Sequence, residues 1–94
     1  MKESWCRVTP NVNKRARVFL AIAEERRRQE FLKSQGRFTH TCADAMPESM
    51  KLAVLAEEFG EIARAVCERD WENMKEEIIQ TAAVLVAWAE SLEP

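Results

Sequence analysis

Glycine and proline are scarce in this chain, at two and three residues among 94. Sheets joined by tight turns draw on such residues, and no window alternates apolar and polar side chains as a half-buried strand would, so a β framework is excluded. Cysteine is scarce too. Cys6, Cys42 and Cys67 are odd in number and have no CxxC spacing, which excludes a disulfide framework and a zinc knuckle and fits a reducing cytosol. No long apolar run is present: the longest, Ile78 to Ala89, is broken by Gln80 and Thr81 and is shorter than the roughly 20 residues that span a bilayer. Met1 to Arg7 has no apolar core of signal-peptide type. Charge of one sign is also missing. The net charge is −2, with acidic and basic residues well mixed, so there is no global field for nucleic acid. The chain reads as soluble and cytoplasmic, without a membrane partner.

What is present is Ala, Glu, Leu and Arg, a composition that favours helix, and the expected class is all-α with about three main helices. A single domain spans residues 1–94, with 1–12 read as a less ordered N-terminal segment. The first helix is expected to start near Asn11 or Asn13, capping residues after Pro10, and to stop near Gly36. Val18, Ile22, Gln29 and Leu32 share one of its faces. After a loop over 37–46, a second helix is expected from Pro47 to Arg69, with Leu52, Leu55, Phe59, Ile62 and Val66 as a buried stripe. Asp70 is placed to cap a third helix that continues to Leu92. The end of that helix, Ala82 to Ala89, is apolar all round. A 94-residue chain has too few helices to surround it, so a helical bundle completed by oligomerisation is expected.

The informative polar residues are acidic. On a helix of 100° per residue, Glu57, Glu58 and Glu61 fall within an arc of about 100°, and Glu58 borders the apolar stripe. Glu77 and Gln80 fall on the side of Val84 and Trp88, toward a packed region and not toward water. Glu72, Glu76 and Glu90 are explained by helix dipoles and surface ion pairs. Glu58, Glu61 and Glu77 are less easily explained, because converging carboxylates repel each other unless a cation lies between them. Magnesium, or manganese in its place, takes such oxygen ligands and keeps waters for phosphates.

Glu57-Glu58-x-x-Glu61, a gap, then Glu77-x-x-Gln80 resembles the EExxE…ExxD signature of the MazG-like, all-α nucleoside triphosphate pyrophosphatase family. Leu52 to Val66 resembles that family's second-helix motif, Glu77 to Glu90 the later helix of short phage and mobile-element members, and Glu25-Arg26-Arg27-Arg28-Gln29 their first-helix segment. The resemblance covers about residues 15–92. It implies hydrolysis of a nucleoside triphosphate between its α and β phosphates, giving the monophosphate and pyrophosphate, by a homodimer or homotetramer. Carried onto this sequence, Glu58, Glu61 and Glu77 hold magnesium, Gln80 is a neutral fourth ligand, and Glu57 orients or deprotonates the attacking water. The family has Asp where Gln80 stands. A neutral amide offers one carbonyl oxygen and no charge, which leaves open a weakly active or non-enzymatic protein that binds nucleotides or only dimerises.

Four further residues are candidates for substrate binding. His40 is the sole histidine and lies in the loop before the second helix, within reach of base or phosphates; the alternative is an ordinary surface residue. Gln29 is a candidate to read a base edge and Lys33 to contact phosphate, against simple helix packing and solvation. Lys51, with Arg64 and Lys75, flanks the acidic segments and is a candidate to neutralise phosphate. Arg26, Arg27 and Arg28 point about 100° apart and are offset by Glu24, Glu25 and Glu30, so they do not form a nucleic-acid stripe. Trp5, Trp71 and Trp88 read as packing residues. Apart from the Cys42 and His40 pair, no cysteine has a nearby histidine to make it a nucleophile.

Overall fold

The computed structural model describes residues 10–94, so Trp5, Cys6 and most of the expected N-terminal segment lie outside the described residues. Among the described residues there are three helices and no strand: α1 (Pro10–Ser34), α2 (Glu48–Cys67) and α3 (Trp71–Ser91). The fold is all-α.

Local chemistry sets the helix ends. α1 is described from Pro10, with Asn13 inside it; the Asn11 side chain lies outside the described residues. Its end is a Schellman turn. Gly36 takes φ +74°, its N–H donates to Lys33 O at 2.9 Å, and the Arg37 N–H donates to Leu32 O at 2.8 Å. α2 starts one residue after Pro47 and ends two residues before the expected Arg69. A second Schellman turn accounts for this, with the Arg69 N–H donating to Val66 O at 3.1 Å and the Asp70 N–H to Ala65 O at 2.9 Å. Here the left-handed position is held by Arg69, at φ +55°. Asp70 then caps α3 as expected, its side chain accepting from the Asn73 N–H at 3.2 Å.

α3 packs against both other helices, while α1 and α2 do not pack on each other. The α2 and α3 pair is a hairpin joined by three residues, and its far end is pinned where the start of α2 meets the end of α3. There the Trp88 indole N–H donates to the Glu48 carboxylate, and Lys51 Nζ donates to Ser91 Oγ at 2.7 Å. Among the described residues the buried apolar side chains are small: Cys42, Ala65, Ala83, Val84 and Ala87. Leu55, Ala43 and Trp88 pack at the edge of the Cys42, Val84 and Ala87 cluster.

Two expected apolar faces are only half covered. On α2 the inward line is Lys51, Leu55, Glu58, Ile62 and Ala65, so Leu55 and Ile62 of the expected stripe turn in, whereas Leu52, Phe59 and Val66 are 57%, 66% and 45% exposed. One neighbouring helix covers a narrower arc than the sequence makes apolar. On α3, Ala83, Val84 and Ala87 are buried but Leu85 and Val86 face outward. Val18 on α1 is likewise exposed, while Ile22, Gln29 and Leu32 turn toward the protein. Among the described residues no helix is long and apolar enough to cross a membrane.

Candidate functional site

Because α1 and α2 flank α3 without touching, a gap remains between them. It forms a cavity of about 440 Å³, within the range of small-molecule sites. α1 lines it with Glu25, Arg28 and Gln29, the loop with Phe38 to Cys42 and Met46, α2 with Met50, Val54 and Glu58, and α3 with Gln80, Val84 and Ala87. Glu25, Arg28 and Gln80 are shared with an adjoining concavity that also has Glu72, Lys75, Glu76 and Ile79 in its wall.

Glu58 and Glu77 face inward from α2 and α3, and each has a buried carboxylate oxygen, Oε2, with no hydrogen-bond partner. Buried polar atoms are nearly always paired, so two orphans on facing helices are unusual. Burial, then the neighbouring Glu77, Glu57, Glu61 and Glu25, push the Glu58 carboxyl above its ordinary value. Burial, then Glu61, Glu76 and Glu25, do the same to Glu77. These are the signs of carboxylates held together without a countercharge. Their donor chemistry fits a hard divalent cation, although among the described residues no three His, Cys, Asp or Glu side chains stand close enough to enclose one. Glu61 is half-buried on the same side, and Glu57 is exposed beside it.

Of the substrate-binding candidates, the structure brings Gln29 and His40 to the cavity with Glu58 and Gln80. Lys33 and Lys51 line neither concavity. Lys51 falls on the inward line of α2, where its buried ammonium is held by Ser91 and lies 3.9 Å from Glu48. Lys33 Nζ is 2.6 Å from Asp44, a bond that raises the lysine and lowers the aspartate. The cations beside the acidic group are Arg28 and Lys75 instead. Arg28 is 55% exposed and bonded to Glu25 at 2.8 Å.

Glu25 is the acidic neighbour that reading the chain alone left out of the site. Its signal was available: it stands one helical turn before Gln29, so a Gln29 that faces inward brings Glu25 with it. Covalent chemistry gains nothing at Cys42, because burial pushes its thiol up and suppresses the thiolate. His40 Nδ1 lies 3.1 Å from Thr39 Oγ1.

A separate polar cluster fixes the loop that closes the cavity. Arg26, buried at the centre of the cluster, donates from Nε to Glu90 at 2.7 Å, from Nη2 to Glu30 at 2.8 Å and from Nη1 to Gln29 Oε1 at 2.9 Å. Glu30 also accepts from Thr41 Oγ1 at 2.8 Å, and the Arg26 and Thr41 bonds hold its carboxyl below the ordinary range. Asp44 accepts from the Thr41 N–H at 2.8 Å. Compared with protein-family models, curated proteins and solved structures, the chain matches none.

Proposed function

We propose that the chain is a magnesium-dependent nucleoside triphosphate pyrophosphohydrolase. The observation that carries the reading is the pair of buried, partnerless carboxylate oxygens of Glu58 and Glu77 on facing helices, with Glu58 in the wall of a cavity of nucleoside size and Glu77 outside that wall. Glu58, Glu61 and Glu77 would hold the metal, with the Gln80 carbonyl as a neutral ligand. A bound divalent ion supplies charge neutralisation and alignment of the phosphates, which phosphoryl transfer needs more than covalent help. Glu57, exposed next to Glu58, orients or deprotonates the attacking water. Arg28 and Lys75 meet phosphate charge, and the apolar wall of Phe38, Met50, Val54 and Val84 takes the base. The reading includes a homodimer or homotetramer, because the outward Leu52, Phe59, Leu85 and Val86 suit a second copy of the chain.

One observation favours a second reading. The neutral Gln80, together with the absence of an assembled three-residue ligand set among the described residues, suits a nucleotide-binding or dimerising protein whose metal site is degenerate. Pyrophosphate release from a panel of normal and modified nucleoside triphosphates, with and without magnesium, separates the two. Metal-dependent turnover supports hydrolysis. Binding without turnover, with activity gained only in Gln80→Asp, supports the second reading, and neither binding nor turnover by any variant removes hydrolysis and nucleotide binding alike and leaves only a dimerising protein.

A further inference from the structure

Gln29 is the buried amide of the cavity wall, 9% exposed. A guanidinium has donors only, so the Gln29 atom that faces Arg26 Nη1 at 2.9 Å is its oxygen, and the amide nitrogen is turned the other way. Arg26 has no freedom to release it. Its Nε and Nη2 are committed to Glu90 on α3, at 2.7 and 3.3 Å, and Nη2 also to Glu30 on α1 at 2.8 Å. Among the described residues no protein acceptor takes the Gln29 Nε2 protons. The cavity therefore meets Gln29 as a donor of fixed polarity.

Much of the surrounding wall is apolar, with Phe38, Cys42, Val84 and Ala87 among the lining residues. Among the described residues the buried side-chain atoms without a partner are Glu58 Oε2 and Glu77 Oε2, so water reaches the Gln29 nitrogen, and a ligand that displaces this water with its own N–H groups is rejected. Gln29 stands on the side of the Arg26 and Glu90 pair, at the C-terminal end of α3, while Glu77 is near the N-terminal end, and roughly 20 Å of helix separates Glu77 from Glu90. A nucleotide whose phosphates lie at the acidic end presents to Gln29 the base edge opposite the sugar.

We propose that Arg26 is a positioning residue that locks Gln29 as a donor, so that the cavity selects bases with a carbonyl at that far edge, the 4-oxo pyrimidines and 6-oxo purines, over their amino counterparts. This rests on the nucleotide reading above. The order of preference is uridine and guanosine nucleotides ahead of cytidine and adenosine nucleotides.

The test is calorimetric titration with uridine, cytidine, guanosine and adenosine 5′-monophosphates in magnesium buffer, which needs no turnover. The oxo bases are expected to bind about tenfold or more tightly than the amino bases, the scale of one hydrogen bond made or left unmet. Gln29→Glu keeps an oxygen for Arg26 and turns the other toward the cavity, so the preference reverses. In Arg26→Lys the amide is free to turn over, and the preference shrinks to within about threefold while thermal melting still reports a folded chain. Equal affinity for oxo and amino bases in the unaltered protein, or a preference that persists in Gln29→Glu, overturns the proposal and leaves the nucleotide reading intact. If none of the four monophosphates binds, the proposal falls, while binding and turnover of the triphosphates decide the nucleotide reading separately.

Discussion

The two polar regions of this molecule are built from the same residue types and end in opposite states. Around Arg26 the charges close on one another: Glu90, Glu30, Gln29, Thr41, Asp44 and Lys33 form a chain of hydrogen bonds linking α1, α3 and the loop. Around Glu58 and Glu77, two buried oxygens have no partner, and burial with like charge raises both carboxyls. A satisfied network rigidifies a fold, whereas an unsatisfied one costs stability unless something outside the chain completes it. The difference separates a region whose charges are paired within the chain from one whose carboxylates are left without a countercharge.

The sharpest way to break the comparison is at the open region. Glu58→Gln should lower magnesium-dependent pyrophosphate release about 100-fold, roughly 2.7 kcal/mol of transition-state stabilisation, while leaving the metal-free protein as stable as before or more so. Unchanged turnover in this variant counts against the metal role of Glu58. At the closed region the effect should fall on stability. Arg26→Ala strands the Gln29 oxygen and unpairs Glu30 and Glu90, and because those glutamates are 44% and 49% exposed, water recovers part of the loss, leaving about 2 kcal/mol in urea denaturation. A shift below about 0.5 kcal/mol would show that the network is ornamental to the fold.

Gln80→Asp adds a charge to the open region and should tighten magnesium about tenfold, or about 1.4 kcal/mol by titration; no change would place residue 80 outside the metal site. Acid should move the two regions in opposite directions. Glu58 and Glu77 lie above their ordinary value of 4.5, so the folded chain binds these protons more tightly than the unfolded chain, and metal-free stability rises as pH falls from neutral toward that value. Glu30 and Asp44 are lowered from 4.5 and 3.8, so their contribution is present above those values and is lost as pH falls through the depressed range. Melting temperature of the metal-free protein should therefore peak in mild acid, and the rise before the peak should shrink in Glu58→Gln. A steady fall from pH 7 would contradict this.

The smallest effect concerns the helix ends. Both α1 and α2 end in Schellman turns, but the left-handed residue is Gly36 in one and Arg69 in the other. A side chain at positive φ costs about 1 kcal/mol relative to glycine. Arg69→Gly should raise stability by about that amount, and a loss of stability would mean that the Arg69 side chain makes a compensating contact.

Much of this architecture was legible in the chain. Helix number and type followed from composition and from the three-and-four spacing, Gly36 and Asp70 marked ends for reasons of backbone chemistry, and Glu58, Glu77 and Gln80 fell on inward faces by simple rotation about the axis. Other features were not legible. Lys51 reads as a candidate to neutralise phosphate, yet it lies on the packed line of α2, where it donates a hydrogen bond to Ser91, forty residues later. Leu52 and Phe59 are apolar and read as core, yet they are exposed because α3 covers a narrower arc.

The sequence by itself determined local matters: where helices start and stop, which carboxylates share a face, and that too much apolar surface exists for one small chain to cover. Only the tertiary structure decided which face of α2 meets α3, that Glu25 joins the acidic group, and that Arg26 reaches Glu90 while holding the Gln29 oxygen. The reason is range. Dihedral preference, capping and periodicity act within a few residues, whereas burial and the pairing of charges 64 positions apart depend on how helices settle against one another.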